Sequence, residues 1–198
     1  MDIIERYNNL KNTASDINEH LGTLYDLVQN DGVQTIIEMG TRNGDSTTAL
    51  LAGAYMTDKK ITCYDLYKSP VVSNFESFDN FNFITADTLK VSIGTADLLF
   101  IDTLHTYFQL YNELVRHSNS ITTYIALHDT VSFGTIDEKF YSNGSDVKMS
   151  DLVQPTYKTG LIKAIEDFLK TEQGKNWYIF KVYTNNNGLT ILKRKQHA

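Results

Sequence analysis

The stretch Thr35-Ile36-Ile37-Glu38-Met39-Gly40-Thr41-Arg42-Asn43-Gly44-Asp45-Ser46 decides how this 198-residue chain folds. Residues 35–40 form a short apolar run closed by glycine, the pattern of a strand buried on both faces that leads into a turn. From Ser46 to Tyr55 alanine and leucine return at helical spacing. Gly40 and Gly44, four apart, let the backbone turn sharply and approach a ligand closely. The turn is not G-x-G-x-x-G and lacks a Gly-Lys-Ser/Thr ending, so neither a dinucleotide cradle nor a P-loop is expected.

The same alternation extends in both directions. Ile3, Tyr7, Leu10, Ile17, Leu21, Leu24 and Val28 recur at spacings that predict helices over residues 3–29, with Ser15-Asp16 as the N-cap restarting the second. Further strands are predicted at Ile61–Asp65, Phe81–Ala86, Ala96–Asp102 and Thr123–His128, with a helix over Thr106–His117. After a helix at Leu161–Lys170, the strands Trp177–Thr184 and Gly188–Lys193 are joined by Asn185-Asn186-Asn187, a hairpin signal because Asn and Gly accept positive φ. The expected fold class is α/β: a doubly wound, mostly parallel seven-stranded sheet with an antiparallel C-terminal hairpin at its edge and N-terminal helices. Residues 1–30 read as a helical cap and 31–198 as the α/β domain, within which the weakly patterned segment 131–159 reads as an insertion or lid.

Composition narrows the class. With 41% hydrophobic and 21% charged residues, 11 Gly and 2 Pro, the chain is neither disordered nor collagenous. One cysteine, Cys63, excludes a disulfide framework and a cysteine-rich zinc site. A net charge of −6 argues against general electrostatic binding of nucleic acid, the only basic cluster being Lys193-Arg194-Lys195. No apolar run reaches the roughly 18 residues a membrane helix needs, and the acidic start Met1-Asp2-Ile3-Ile4-Glu5 is unlike a signal peptide, so a cytoplasmic protein is expected.

Ligands of open α/β sheets bind outside the carboxyl ends of the strands. Asp65 ends the second strand, 21 residues after Gly44, where a carboxylate can accept both hydroxyls of a ribose; Asp87 follows the third, where it can take an adenine amino group. Asp102 and Asp129 close adjacent central strands, so their carboxylates can converge on a hard cation such as Mg²⁺, with Thr130 or His128 completing the shell.

Glu38-x-Gly40-x-x-x-Gly44, Asp65 and the Ala86-Asp87 step resemble class I S-adenosylmethionine (SAM) methyltransferases. Within that class, Phe100-Ile101-Asp102-Thr103-Leu104-His105-Thr106-Tyr107, Leu127-His128-Asp129-Thr130 and Asn186-Asn187-Gly188-Leu189-Thr190 resemble the macrocin/mycinamicin O-methyltransferase and cephalosporin-hydroxylase-like branch. Two departures stand out: Asp102-Thr103-Leu104-His105 replaces Asp-Gly-Asp-His, and Asn119-Ser120-Ile121-Thr122-Thr123 replaces a Gly-Gly turn. The resemblance implies a Rossmann-like methyltransferase fold that transfers a methyl group from SAM, with Mg²⁺, to a hydroxyl of a small acceptor such as a sugar or glycosylated metabolite. It implies Glu38, Gly40, Thr41, Gly44, Ser46, Asp65, Leu66, Asp87, Thr88 and Asp102 around the cofactor, Asp102 and His105 in catalysis, and a possible homo-oligomer. His105 is then the base, its ordinary pKa of about 6.5 leaving it neutral at pH 7.

Plainer roles stand beside these. Asp65 and Asp87 could cap helices, Asp102 and Asp129 could be paired by Lys or Arg, and His105 and His128 could be packing residues. Glu38 could serve only to tie down the glycine loop, Tyr107, Phe108 and Tyr111 read as core, and His20, His117 and His197 read as surface. A non-catalytic SAM-fold binding module is the alternative function. An NAD(P) oxidoreductase is disfavoured by the missing G-x-G-x-x-G.

Overall fold

The computed structural model describes residues 1–139 and 158–196. Seven strands, β1 (Thr35–Met39), β2 (Lys60–Asp65), β3 (Phe81–Thr85), β4 (Ala96–Ile101), β5 (Ile121–His128), β6 (Trp177–Tyr183) and β7 (Leu189–Arg194), form one sheet in the order β3-β2-β1-β4-β5-β7-β6. The helices are α1 (Ile3–Lys11), α2 (Asn18–Gln29), α3 (Asp45–Gly53), α4 (Tyr107–His117) and α5 (Leu161–Phe168). The order reverses between β1 and β4, which opens the crevice where such sheets bind ligands.

The strand period of two builds both layers of the core. Ile36, Ile61, Leu98, Phe100 and Ala126 pack toward α1, α2 and α3, while Ile37, Met39, Leu99, Ile101 and Leu127 pack toward α4 and α5. Leu21, Leu24 and Val28 of α2 are fully buried in the first of these layers, so the N-terminal helices share the core of the α/β domain. Among the described residues no helix is long and apolar enough to cross a membrane.

The C-terminal hairpin stands at the edge of the sheet as expected: β7 is antiparallel to both β5 and β6, and β6 runs outermost, parallel in direction to β5. Two details differ from the expectations above. Ser15 does not cap α2, whose first residue is Asn18 and whose N-cap, Ile17, makes no side-chain bond. The first-turn amide of Glu19 is instead met by Asn186 Oδ1 at 3.0 Å, from the tip of the β6–β7 hairpin. That tip does turn through positive φ at Asn186, Asn187 and Gly188, as its composition predicts. Finally, His20 and His117 are buried, not surface residues. Carbonyls hold them: His20 Nε2 lies 3.0 Å from Asn185 O and His117 Nε2 lies 2.7 Å from Thr88 O. Of the expected lid, residues 140–157 lie outside the described residues, as does His197.

Candidate active site

The carboxyl ends of β3, β2, β1 and β4 border a cavity of about 340 Å³, within the range of small-molecule sites. Gly40, Asp65, Leu66, Asp87, Thr88 and Asp102 line it, with Arg42, Tyr64, Thr103, His105, Gln109 and Glu138. Gly40 sits at the closest approach of two strand ends. Its φ is +88°, and a Cβ there would stand 2.0 Å from the Asp102 carbonyl oxygen. Gly44, at φ +74°, is the N-cap of α3. Asp65 Oδ2 accepts from the Thr41 and Arg42 amides at 2.8 and 3.2 Å, so this carboxylate holds the glycine loop and caps no helix. Asp87 accepts from the Leu89 amide at 2.9 Å and pairs with Lys90 Nζ at 2.9 Å.

Glu38 lies beneath the cavity rather than on its wall. It is fully buried and accepts from Ser46 Oγ at 2.5 Å, Thr47 Oγ1 at 2.6 Å and Cys63 Sγ at 2.9 Å. The α3 hydroxyls, not the loop amides, are what it ties down. Thr41 and Ser46 border a small hollow beside the main cavity, together with Asp16 and Arg42. Burial pushes the Glu38 carboxyl up to about 7, against the lowering effect of its three hydrogen bonds. A raised carboxyl contributes stability that is intact below its unfolded value of about 4.5 and is lost as pH rises through 7. Glu38→Gln is therefore expected to remove part of the wild-type loss of stability between pH 4.5 and 7, which runs at about 1.4 kcal/mol per pH unit for one such group. Urea unfolding at pH 5 and pH 8 measures this; equal effects of the substitution at both would contradict it.

Two carboxylates and two imidazoles meet where β4 and β5 end. His105 Nε2 lies 3.1 Å from Asp102 Oδ1 and 2.9 Å from Asp129 Oδ2, while His128 Nδ1 lies 3.4 and 3.5 Å from the same two atoms. The sequence left open a Lys, an Arg or a metal as partner of this acid pair; two histidines fill that place. Burial pulls His105 down, but hydrogen bonds and charges from Asp102 and Asp129 outweigh it and hold the imidazole up, at about 10. The same balance puts His128 at about 9. Burial raises both carboxyls, yet their histidine contacts win and hold Asp102 below its ordinary value and Asp129 well below it. The ordinary pKa of about 6.5, which would leave His105 neutral at pH 7, is thus raised in this arrangement, and the raised value favours the imidazolium.

The backbone at Asp129 has φ +58°, a conformation aspartate tolerates better than most residues. It turns the chain from β5 into residues 130–139, which return across the site. Phe133 stacks on the His105 ring, with centroids 4.8 Å apart and planes within 3°. Glu138 Oε2 lies 2.9 Å from His105 Nδ1, so both ring nitrogens face carboxylates. Thr130 Oγ1 accepts from Thr190 Oγ1 at 3.0 Å. Nothing in the linear sequence marks Glu138, which falls in the segment with no periodic pattern.

Ligand atoms of Asp102, His128 and Asp129 all lie within 4.8 Å of one another. Asp129 Oδ1 is buried with no hydrogen-bond partner, an acceptor that a cation would satisfy. Two carboxylates and an imidazole are a donor set for a divalent ion, so these residues fit one.

The fold is the seven-stranded, Rossmann-like sheet of class I methyltransferases. Solved structures that share it include the methyltransferase PaMTH1 of Podospora anserina bound to S-adenosylhomocysteine (SAH), at 13% identity and TM-score 0.65 over 99% of this chain and 89% of that one. The O-methyltransferase of Bacillus cereus in complex with SAH is similar at 16% identity and TM-score 0.64, over 98% and 91%. The N-methyltransferase NodS of Bradyrhizobium japonicum, also with SAH, follows at 10% identity and TM-score 0.60, over 99% and 100%. No family model and no curated protein matches the chain.

Proposed function

We propose that the protein is a SAM-dependent O-methyltransferase acting, with a divalent cation such as Mg²⁺, on a hydroxyl of a small acceptor such as a sugar or glycosylated metabolite. One observation carries the reading: Gly40, Asp65, Asp87 and Asp102, from the ends of four adjacent strands, line one cavity. Its wall is rich in carboxylates, which suits a ligand bearing a sulfonium and an ammonium and two ribose hydroxyls. Bound SAM would supply a methyl carbon on a sulfonium, already activated for in-line displacement. The chain's own work is then alignment and management of one proton. Gly40 lets the loop approach closely, Asp65 holds that loop, and Asp102 reaches the cavity beside His105.

A cation would be held by Asp102, Asp129 and His128. Bound there, it would favour the ionised form of an acceptor hydroxyl and offset the charges that keep the proton on His105. Glu138 holds the far nitrogen of His105, so the ring's orientation is fixed. NodS has the same fold and is an N-methyltransferase, so the choice of oxygen rests on this acid and histidine cluster and on the sequence resemblance, not on the fold.

A non-catalytic binding module is the second reading. In its favour, both His105 nitrogens are taken by carboxylates. Methyl-labelled SAM and a panel of hydroxylated acceptors separate the two. Transfer with Mg²⁺ that is lost with EDTA and restored by Mg²⁺ is the expected result. Undiminished transfer in EDTA would remove the metal, and SAH binding without transfer to any acceptor would favour the module.

A further inference from the structure

Glu113 on α4 is fully buried, and none of the roles above uses it. Its Oε1 takes hydrogen bonds from Thr88 Oγ1 at 2.5 Å and Gln109 Nε2 at 2.7 Å, and its Oε2 takes one from Thr103 Oγ1 at 2.8 Å. All three partners line the cavity. A carboxylate in the interior is costly, and an ionised one can only accept. Burial pushes the Glu113 carboxyl up to about 7, so above that pH it is ionised and claims the hydroxyl protons of Thr88 and Thr103 and one amide hydrogen of Gln109. The other amide hydrogen goes to Thr88 Oγ1 at 3.1 Å.

The consequence is a wall of one polarity. Hydroxyls and amides ordinarily turn to present either a proton or a lone pair. Here the side chains of Thr88, Thr103 and Gln109 have spent their hydrogens on Glu113 and on one another, which leaves side-chain lone pairs for a ligand. Asp87 and Asp65 on the same cavity are acceptors as well. We propose that Glu113 is a positioning residue that sets base specificity, making the Thr88–Thr103–Gln109 wall an acceptor surface that takes a 6-aminopurine and rejects a 6-oxopurine. The proposal rests on the reading of the cavity as a nucleoside site. A 6-amino group donates to such a wall, whereas a 6-oxo group sets one acceptor against others and leaves both unpaired.

Calorimetry at pH 8.5 with SAH and S-inosylhomocysteine tests this. The wild type is expected to prefer SAH by about 100-fold or more. Glu113→Gln, whose amide can donate, is expected to shrink that preference to about 10-fold or less, chiefly by tightening the inosine analogue. A purely structural role for Glu113 would weaken both ligands by the same factor and keep the ratio, and that result would overturn the proposal. Gln109→Met decides the matter should Glu113→Gln not fold: a loss of about 10-fold for SAH with little change for S-inosylhomocysteine is expected, and equal loss for both contradicts it. Equal affinity of the wild type for the two ligands would sink the proposal alone, while binding of neither would remove the nucleoside site and the proposal with it.

Discussion

Gly40→Ala is expected to destabilise the protein by about 3–5 kcal/mol and to abolish SAH binding. Two costs combine. The residue has φ +88°, which an L side chain adopts only under strain, and its Cβ would stand 2.0 Å from the Asp102 carbonyl oxygen. Neither side can retreat easily. The Gly40 amide donates to Tyr64 O at 2.9 Å and the Asp102 amide donates to Met39 O at 2.9 Å, so both belong to the sheet's hydrogen-bond ladder. Relief requires β1 and β4 to part at the point where the cavity opens. Gly94→Ala is the control, because a Cβ there meets nothing within 4 Å. Urea unfolding measures both; a Gly40→Ala protein within about 1 kcal/mol of the wild type would contradict the described packing.

Asp129→Asn should have the other large effect. Asparagine also tolerates φ +58°, so the substitution changes charge and leaves the backbone preference in place. Removing one partner of a buried charge cluster costs about 3–5 kcal/mol, and methyl transfer is expected to be lost with it. The pH dependence, measured with a chelator present, separates this charge effect from a packing effect. His105 and His128 are raised, to about 10 and 9, so the stability they contribute is complete below their unfolded value of 6.5 and is lost as pH rises through 9 to 10. Asp102 and Asp129 are lowered, so their contribution is present above about 3.8 and is lost as pH falls beneath it. The stability gap between wild type and Asp129→Asn should therefore be widest between about pH 4.5 and 8, and should close above pH 10. A gap that does not change with pH would mean that the variant acts through packing.

Much of this was written in local pattern. The apolar runs at Thr35–Met39 and Ala96–Ile101 are unbroken because both faces of a central parallel strand are buried, and their carboxyl ends place Gly40 and Asp102 on the cavity. Asn186, Asn187 and Gly188 announce their turn by composition alone. What local pattern lacks is the identity of distant partners. The cap of α2 comes from Asn186, 167 residues away from the Glu19 amide it serves. The position of β7 between β5 and β6 depends on which strand of the hairpin pairs with β5, a partner far away in the chain.

The charged residues show the same limit. Glu38 in an apolar strand reads as a ligand group, yet its partners are Ser46 and Thr47 one helix on and Cys63 on the next strand. The histidine occupants of the Asp102–Asp129 pair arise only when β4 and β5 lie side by side. Glu113 carried a legible sign: Gln109 and Glu113 stand four apart on the helical stripe that also holds Leu110 and Leu114, where a polar pair signals a buried network.

Whether the cavity at the ends of β3, β2, β1 and β4 holds a SAM-type nucleoside, as proposed, is decided by calorimetric titration with SAH. One site per chain is expected, weakened about 100-fold or more by Asp65→Ala, with no heat from NADH. Heat from NADH and none from SAH, or affinity for SAH untouched by Asp65→Ala, would contradict the proposal.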